Sequence, residues 1–382
     1  MPNRSFADLQ AMQRLPLEAK VLTTQARIYD WIDKWGVDGV YVAFSGGKDS
    51  TVLLHLVREI VPDVAAVFVD TGLEYPEVKR FAKSFDNITV LRPKMRFDEV
   101  IKKHGYPLIS KEVSECVSQA RRFVQGTTRG GYSYRANQLG ISKTDITELP
   151  VSADMRTARV LGTLTKDNKI QENIPNNKDR SKFSLVKWKP LLDVDFEVSH
   201  LCCNVMKKQP SHTYARQTGK KPMLGTMAEE SLLRAEQWLK NGCNGFDMKS
   251  PTSNPMAFWT EQDVLHYIKD NNIEIAPVYG KIDYADDQQT IDFGDGLCNR
   301  KLCTTGCART GCCFCGFGLH LEKGETRFQR LKRTHPIQYQ YCLDGGEYSA
   351  DGLWQPNKNG LGMRHVFDEL NKIYGKDFIR YE

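Results

Sequence analysis

Over the first hundred residues, short apolar runs alternate with stretches whose apolar residues recur every three or four positions. The runs Gly39–Phe44, Ala65–Asp70 and Ile88–Leu91 are too short and continuous for helices and predict buried strands. Between them, Thr51–Ile60, Tyr75–Ser84 and Phe97–His104 carry helical spacing, as does Leu17–Trp35 ahead of the first strand through Val21, Leu22, Ala26, Ile28, Tyr29 and Ile32. This alternation predicts an α/β fold, a doubly wound and mostly parallel sheet with helices on both faces. Ligands on such sheets bind beyond the carboxyl ends of the strands.

The pattern continues less regularly. Ser110–Phe123 reads as a helix. The stretch 126–182 is polar and turn-rich and reads as an insertion, in which Tyr132, Tyr134 and Arg135 offer aromatics beside a cation. A solvated loop accounts for its charges; a substrate-grasping element is the sharper reading. Phe183–Trp188 is expected to be strand, Val198–Gln217 helix, Pro222–Gly225 strand and Leu232–Asn241 helix. Trp259–Ile268 is expected to be a helix N-capped by Thr260. Val366–Tyr374 reads as a packing helix. The expected organisation is a helical lead-in over 1–38, a nucleotide-binding α/β domain over 39–280, and a cysteine-rich extension with C-terminal helices over 281–382. There is no internal repeat.

The densest chemistry sits where the first strand meets its helix: Ser45-Gly46-Gly47-Lys48-Asp49-Ser50. Two glycines allow a sharp turn and close backbone approach to a ligand. The amides that open the next helix are unpaired and carry the positive end of its dipole, so the turn suits an anion. Lys48 adds a full charge. Asp49 beside a phosphate cradle makes sense if it holds a metal that bridges the phosphates, such as Mg²⁺. Glycines serving geometry alone are the plain alternative, against which the crowding of two serines, a lysine and an aspartate weighs.

Composition frames this reading without deciding it. The 382 residues are 40% hydrophobic and 26% charged, enough for a large core, and the net charge of +6 permits nucleotide or nucleic-acid binding without requiring it. No apolar run would span a bilayer and the first residues lack a signal-peptide pattern, so a cytoplasmic protein with no membrane partner is expected. Eleven cysteines in such a compartment point to metal or catalysis rather than disulfides.

The Ser45–Ser50 turn resembles the pyrophosphate-binding loop of the adenine-nucleotide alpha-hydrolase (PP-loop) superfamily. Val69-Asp70-Thr71-Gly72 resembles a signature of its phosphoadenosine phosphosulfate (PAPS) reductase branch. The resemblance implies ATP as nucleotide, Lys48, Asp49 and Ser45 as catalytic residues, and Gly46, Gly47 and Ser50 in the cradle. It adds Asp70 and Gly72 as nucleotide contacts; for Asp70 alone, a helix cap is the alternative. Gly225 followed by Glu230, Ser231 and Arg234 fits a further element of the branch, and makes Glu230 and Arg234 binding candidates. Trp259 through Ile268, with Pro277 and Tyr279, fits another, in which Trp259 and Tyr267 read as core. One departure is Met227, where relatives carry an arginine.

Cys298, Cys303, Cys307, Cys312, Cys313 and Cys315 crowd together beside Arg300, Lys301 and Arg309, which favour thiolates. Soft thiolates select zinc or iron–sulfur. By spacing alone, a zinc knuckle of Cys303, Cys307, Cys312 and Cys315 competes with an iron–sulfur site. The resemblance to adenylyl-sulfate (APS) reductases favours a [4Fe–4S] cluster on the pair Cys202-Cys203 with Cys312 and Cys315, and with Cys307 as a substitute for Cys202. Cys116 and Cys243 read as apolar fillers.

Sulfonucleotide reductases of this branch finish in Glu-Cys-Gly-x-His and usually alter the phosphate loop. This chain keeps the loop and ends Phe378-Ile379-Arg380-Tyr381-Glu382. The expectation is therefore an ATP pyrophosphatase that adenylates an acceptor for iron–sulfur-assisted thiolation. A tRNA or DNA is the expected acceptor and a cysteine desulfurase the kind of sulfur donor. APS or PAPS reduction, with Cys342 or a partner's thiol as nucleophile, is the second reading, and a zinc-containing nucleic-acid-binding module the third. The basic stretch Thr326–Tyr341 reads as a solvated face.

Overall fold

The computed structural model describes residues 4–125, 154–171, 174, 176–285 and 301–382. Tyr132, Tyr134, Arg135, Cys298 and Arg300 lie outside the described residues, as does most of the expected insertion. The chain forms two compact units, Met1–Lys94 with Lys207–Cys312, and Met95–Met206 with Cys313–Glu382. Among the described residues no helix is long and apolar enough to cross a membrane.

The first unit is built on a six-stranded sheet. Its strands are β1 (Val40–Ala43), β2 (Ala66–Val69), β3 (Ile88–Leu91), β4 (Lys221–Leu224), β5 (Asn244–Gly245) and β6 (Thr252–Ser253), in the order β3-β2-β1-β4-β6-β5. All neighbours pair in parallel except β5 with β6. After an opening helix over Phe6–Gln13, the α-helices of this unit are α1 (Leu17–Trp35), α2 (Lys48–Ile60), α3 (Pro76–Lys83), α4 (Gln209–Thr218), α5 (Leu232–Asn241) and α6 (Glu261–Asp270). Strand β1 is central and buried, with Val40, Tyr41 and Val42 almost wholly shielded from water, which is why it reads as an unbroken apolar run. From β1 the chain winds outward through β2 to β3, and β4 later adds on the opposite side. The carboxyl end of β1 is thus the point where strand order reverses, and there the flanking connections diverge to leave a crevice.

Helix α1 is anchored by polar contacts as well as packing. Lys20, almost wholly buried, donates to Asp263 Oδ2 at 2.6 Å and to the Gln13 carbonyl at 2.7 Å. Asp263 also closes the capping box of α6 with Thr260. Trp259, fully buried, donates its indole N–H to Thr24 Oγ1 at 2.8 Å, so Trp259 and Tyr267 are core residues as expected.

Burial of Tyr41, with a smaller effect from Tyr214, pushes its phenol up to about 12. A group raised in the folded state stabilises fully below its unfolded value near 10, and that stability is lost as pH rises through the folded value. Urea melts between pH 9 and 12 should therefore show Tyr41→Phe losing about 2–3 kcal/mol less across this window than the unaltered chain. Parallel losses would show that Tyr41 ionises freely in the fold.

In the second unit the short parallel pair Leu108–Ile109 with Gly316–Phe317 sits among helices. The helix Lys111–Val124 starts at an N-cap on Ser110 and packs on Met155–Leu161. The strand expected at Phe183–Trp188 is instead a 3-10 helix over Val186–Leu192. Pro190 fixes a tight turn there, and Trp188 is drawn into an aromatic group with His320, Tyr374 and Phe378. Helices Arg327–Thr334, Pro336–Leu343 and Met363–Tyr374 form the C-terminal part around Phe328, Phe367 and Leu370. Arg327 pairs with Glu322, and Arg330 and Arg333 pair with Glu325, so this basic face is internally compensated.

Candidate active site at the end of the first strand

Ser45 to Ser50 turn at the carboxyl end of β1 and enter α2. Gly46 holds a φ of +72°, and a Cβ there would stand 2.9 Å from Val78 Cγ1 and 3.0 Å from its carbonyl oxygen. Both the turn and the packing against α3 require glycine. No side chain caps α2; instead Ser50 Oγ and Thr51 Oγ1 donate back to the Gly47 carbonyl at 2.9 and 3.0 Å. The Ser45 amide donates to Ser50 Oγ at 3.1 Å, which stiffens the hairpin. Gly225, at the end of β4, lies so close that a Cβ would stand 2.9 Å from the Asp49 carbonyl oxygen. The end of β4 therefore seats directly on the first turn of α2.

Lys48 is 3% exposed, yet its ammonium is surrounded by acceptors. Asp49 Oδ1 lies at 3.4 Å, Glu261 Oε1 at 3.2 Å and the Ala308 carbonyl at 3.4 Å. Burial alone would lower the Lys48 pKa, but Asp49 and Glu261 outweigh it and hold the ammonium above its ordinary value. Asp49 moves the other way from most ion-paired carboxylates. Burial raises its carboxyl, Lys48 opposes, and the nearby Glu230 carboxylate raises it again. Its Oδ1 is buried and accepts no hydrogen bond. An under-coordinated carboxylate oxygen beside an anion-binding turn fits a hard cation such as Mg²⁺. The residue that would hold the ion is Asp49.

The loop is roofed by residues far away in sequence. The Lys48 amide donates to the Tyr279 hydroxyl at 3.1 Å, and that hydroxyl pairs with Thr310 Oγ1 at 2.7 Å. Glu230 accepts from the Met227 amide at 3.0 Å, pairs with Arg234, and has Arg309 at 4.0 Å. Glu230 and Arg234 are therefore at the site, joined to one another. Tyr279, Glu261, Ala308 and Thr310 were not marked as site residues by the sequence. The Pro277-x-Tyr279 pattern and the Thr310-Gly311 step before Cys312 were the available signals.

Asp70 ends β2, the neighbour of β1. It is buried and bound at 2.8 Å by Lys83 and 3.0 Å by Lys79, both from α3. These ammoniums outweigh burial and hold its carboxyl below the ordinary range. Gly72 follows at φ +75° with open space on its Cβ side. Thr71 donates amide and hydroxyl to Glu74 at 3.1 and 2.7 Å, closing this second turn.

The cysteines divide between the units. Cys303, Cys307 and Cys312 belong to the first, and Cys202, Cys203, Cys313 and Cys315 to the second. Cys202 and Cys203 place their sulfurs 3.9 Å apart at the start of a helix that widens into a π-helix over Asn204–Lys208. Such widening marks functional sites. The pair fits two ligands of a soft metal centre. Arg327, paired with Glu322, donates to the Cys315 carbonyl at 3.2 Å and fixes the backbone of that cysteine. Among the described residues, no group of three or more His, Cys, Asp or Glu side chains converges on a metal position. Burial raises the thiols of Cys116 and Cys243, as fits apolar fillers.

A model of the phosphoadenosine phosphosulfate reductase domain matches residues 39–122 and 153–316. An uncharacterised protein of Methanocaldococcus jannaschii is 38% identical over 96 residues, 24% of this chain and 23% of its own length. A phosphoadenosine 5'-phosphosulfate reductase of Xylella fastidiosa is 31% identical over 90 residues, 22% of this chain and 38% of that one. An adenosine 5'-phosphosulfate reductase of Bacillus mycoides is 28% identical over 97 residues, 24% and 42% of the two chains. The aligned stretches thus span less than half of each relative. A PAPS reductase of Candida auris, solved as a phosphate complex, aligns at a TM-score of 0.33 with 13% identity, covering 72% of this chain and 90% of its own.

Proposed function

The chain belongs to the phosphoadenosine phosphosulfate reductase family, and from that premise we propose that it is an ATP pyrophosphatase that adenylates an acceptor for sulfur transfer. The observation that carries this reading is the buried Lys48 ion-paired at 3.4 Å with the buried Asp49 Oδ1, which lacks an aligned hydrogen bond, at the sheet's reversal point. A sulfonucleotide has no pyrophosphate to be held by such a loop and no need of a metal bridge; a magnesium nucleoside triphosphate has both.

In this reading the loop 45–50 grips the β- and γ-phosphates. An acceptor oxygen attacks the α-phosphorus, the bond from that phosphorus to the bridging oxygen breaks, and pyrophosphate leaves with its electron pair. Lys48 and the start of α2 stabilise the charge that develops on the leaving group. Glu261 and Asp49 hold the Lys48 ammonium in place. A sulfur nucleophile then displaces AMP from the adenylated acceptor. A tRNA or DNA is the proposed acceptor, and a cysteine desulfurase the proposed kind of sulfur donor.

Cys202, Cys203, Cys312 and Cys315 would hold a [4Fe–4S] cluster, with Cys307 as a substitute for Cys202 and zinc as the less favoured metal. The thiolate donor chemistry and the close Cys202–Cys203 sulfurs support that pair as two of the ligands. When bound, the cluster supplies a thiophilic iron centre able to orient or deliver sulfur.

Reduction of APS or PAPS is the second reading, favoured by the relatives' own activities. Cys342 does not serve it as nucleophile. It is fully buried against Met363, 3.3 Å from the thioether sulfur, and burial raises its thiol well above the ordinary value. Oxygen-free protein should release pyrophosphate from Mg·ATP when supplied with candidate acceptors, and form no sulfite from APS or PAPS with thiol reductant. Sulfite without pyrophosphate reverses the assignment. A broad visible absorption from iron–sulfur thiolate ligation would separate the cluster from colourless zinc.

A further inference from the structure

The short strap Thr305–Thr310, between Cys303 and Cys312, is fixed within the first unit by its backbone. The Thr305 amide donates to the Lys281 carbonyl, Gly306 to Tyr279 and Cys307 to Val278, each at 2.9 Å. A Cβ on Gly306 would stand 2.3 Å from the Val278 carbonyl oxygen, so the strap lies as close as a backbone can. This places the Ala308 carbonyl on the Lys48 ammonium and Thr310 on the Tyr279 hydroxyl. A Cβ on Gly47 would meet both hydroxyls, at 3.3 and 3.4 Å. The two hydroxyls therefore hang directly over the phosphate loop.

Arg309 lies between these two anchored residues and is 64% exposed. Its guanidinium is 4.0 Å from Glu230 Oε2, too long and too exposed for a binding contact of much strength. Glu230 is the same carboxylate that caps the Met227 amide. Arg309 stands beside Glu230 on a long side chain with five donors in a planar fork, a shape that matches phosphate oxygens.

We propose that Arg309 and Thr310 are contact residues for the phosphate chain of the bound nucleotide, supplied by the strap between the cysteines and seated by Tyr279. Tyr279 accepts from the Lys48 amide and orients Thr310, whose hydroxyl turns to donate to a phosphate oxygen. Arg309 swings from Glu230 to the same phosphate chain and adds a second positive charge beside Lys48. The inference rests on the proposed reading of the loop as a triphosphate site.

Calorimetric titration of the full chain with Mg·ATP and with adenosine, under reducing oxygen-free conditions, tests it. Arg309→Ala should weaken Mg·ATP about tenfold, the loss of one charged hydrogen-bonded contact. Arg309→Lys should recover part of the loss. Thr310→Val and Tyr279→Phe should each weaken Mg·ATP by a few-fold. Adenosine binding should be unchanged in all four. Arg309→Ala with unaltered Mg·ATP affinity overturns the inference, and so does an equal loss for ATP and adenosine, which marks a structural role. If Lys48→Ala weakens Mg·ATP while Arg309→Ala does not, the triphosphate reading stands and only the strap's role falls. No heat with Mg·ATP from the unaltered chain removes the triphosphate reading and this inference together.

Discussion

Lys48→Ala is expected to lower kcat/KM for pyrophosphate release by about 10²–10³-fold, the loss that follows removal of one preorganised charge from a site of developing negative charge. The ammonium is buried and fixed by Asp49, Glu261 and the Ala308 carbonyl, so it does not reorganise as the leaving group forms. The stability cost should be about 1–3 kcal/mol, because the buried Asp49 Oδ1 loses the ammonium it faces. Lys48→Arg keeps the charge but not the compact point geometry, and should recover only part of the rate. Initial rates of pyrophosphate release with parallel thermal melts give the result. A Lys48→Ala enzyme that turns over like the unaltered chain would end the case for this loop as the catalytic element.

Gly225→Ala carries the second large effect. The added methyl meets the Asp49 carbonyl oxygen at 2.9 Å, the Asp49 carbonyl carbon at 3.1 Å and the Ser50 Cα at 3.2 Å. All three belong to backbone, so no side chain can rotate out of the way. The end of β4 and the first turn of α2 must separate instead, at about 1–3 kcal/mol. That movement displaces Asp49 and Ser50 from the cradle, and a shift of this kind should cost about 10²-fold in kcat/KM. Gly72→Ala is the comparison. Its φ of +75° imposes a cost of about 1–2 kcal/mol, but nothing lies on its Cβ side, so the loop 45–50 keeps its place. Urea melts and pyrophosphate assays on both variants give the comparison. A Gly225→Ala protein that loses stability but keeps its turnover would show that β4 does not position the loop.

Much of the first unit was legible in the sequence because its determinants are local. Helix α1 spans the residues its apolar spacing marks, and α6 begins after Thr260, whose hydroxyl accepts from the amide three residues on. The buried strands announced themselves as apolar runs. The turn at 45–50 was recognisable because Gly46 needs a positive φ and α2 lacks a capping side chain. The mistaken strand at Phe183–Trp188 shows where local pattern fails. Its mix of apolar and polar residues suits a strand as well as a tight helix, and the choice was made by Pro190 and by the aromatic partners of Trp188, which lie some 130 to 190 residues later in the chain.

By itself, then, the order of residues determined the strands β1 to β4, the helices beside them and the position of the glycine turn at 45–50, since period, glycine and caps act over a few residues, whereas the two-residue strands β5 and β6 carry no such pattern. What surrounds that turn was decided by tertiary structure alone. The Tyr279 hydroxyl reaches the Lys48 amide across 231 positions, and Ala308 reaches its ammonium across 260. Nothing in the local chemistry of a tyrosine or a cysteine-flanked alanine distinguishes such a role. Only the pairing of Gly306 and Cys307 with the Val278–Tyr279 backbone brings them there, and only the fold seals Cys342 against Met363, where burial raises its thiol.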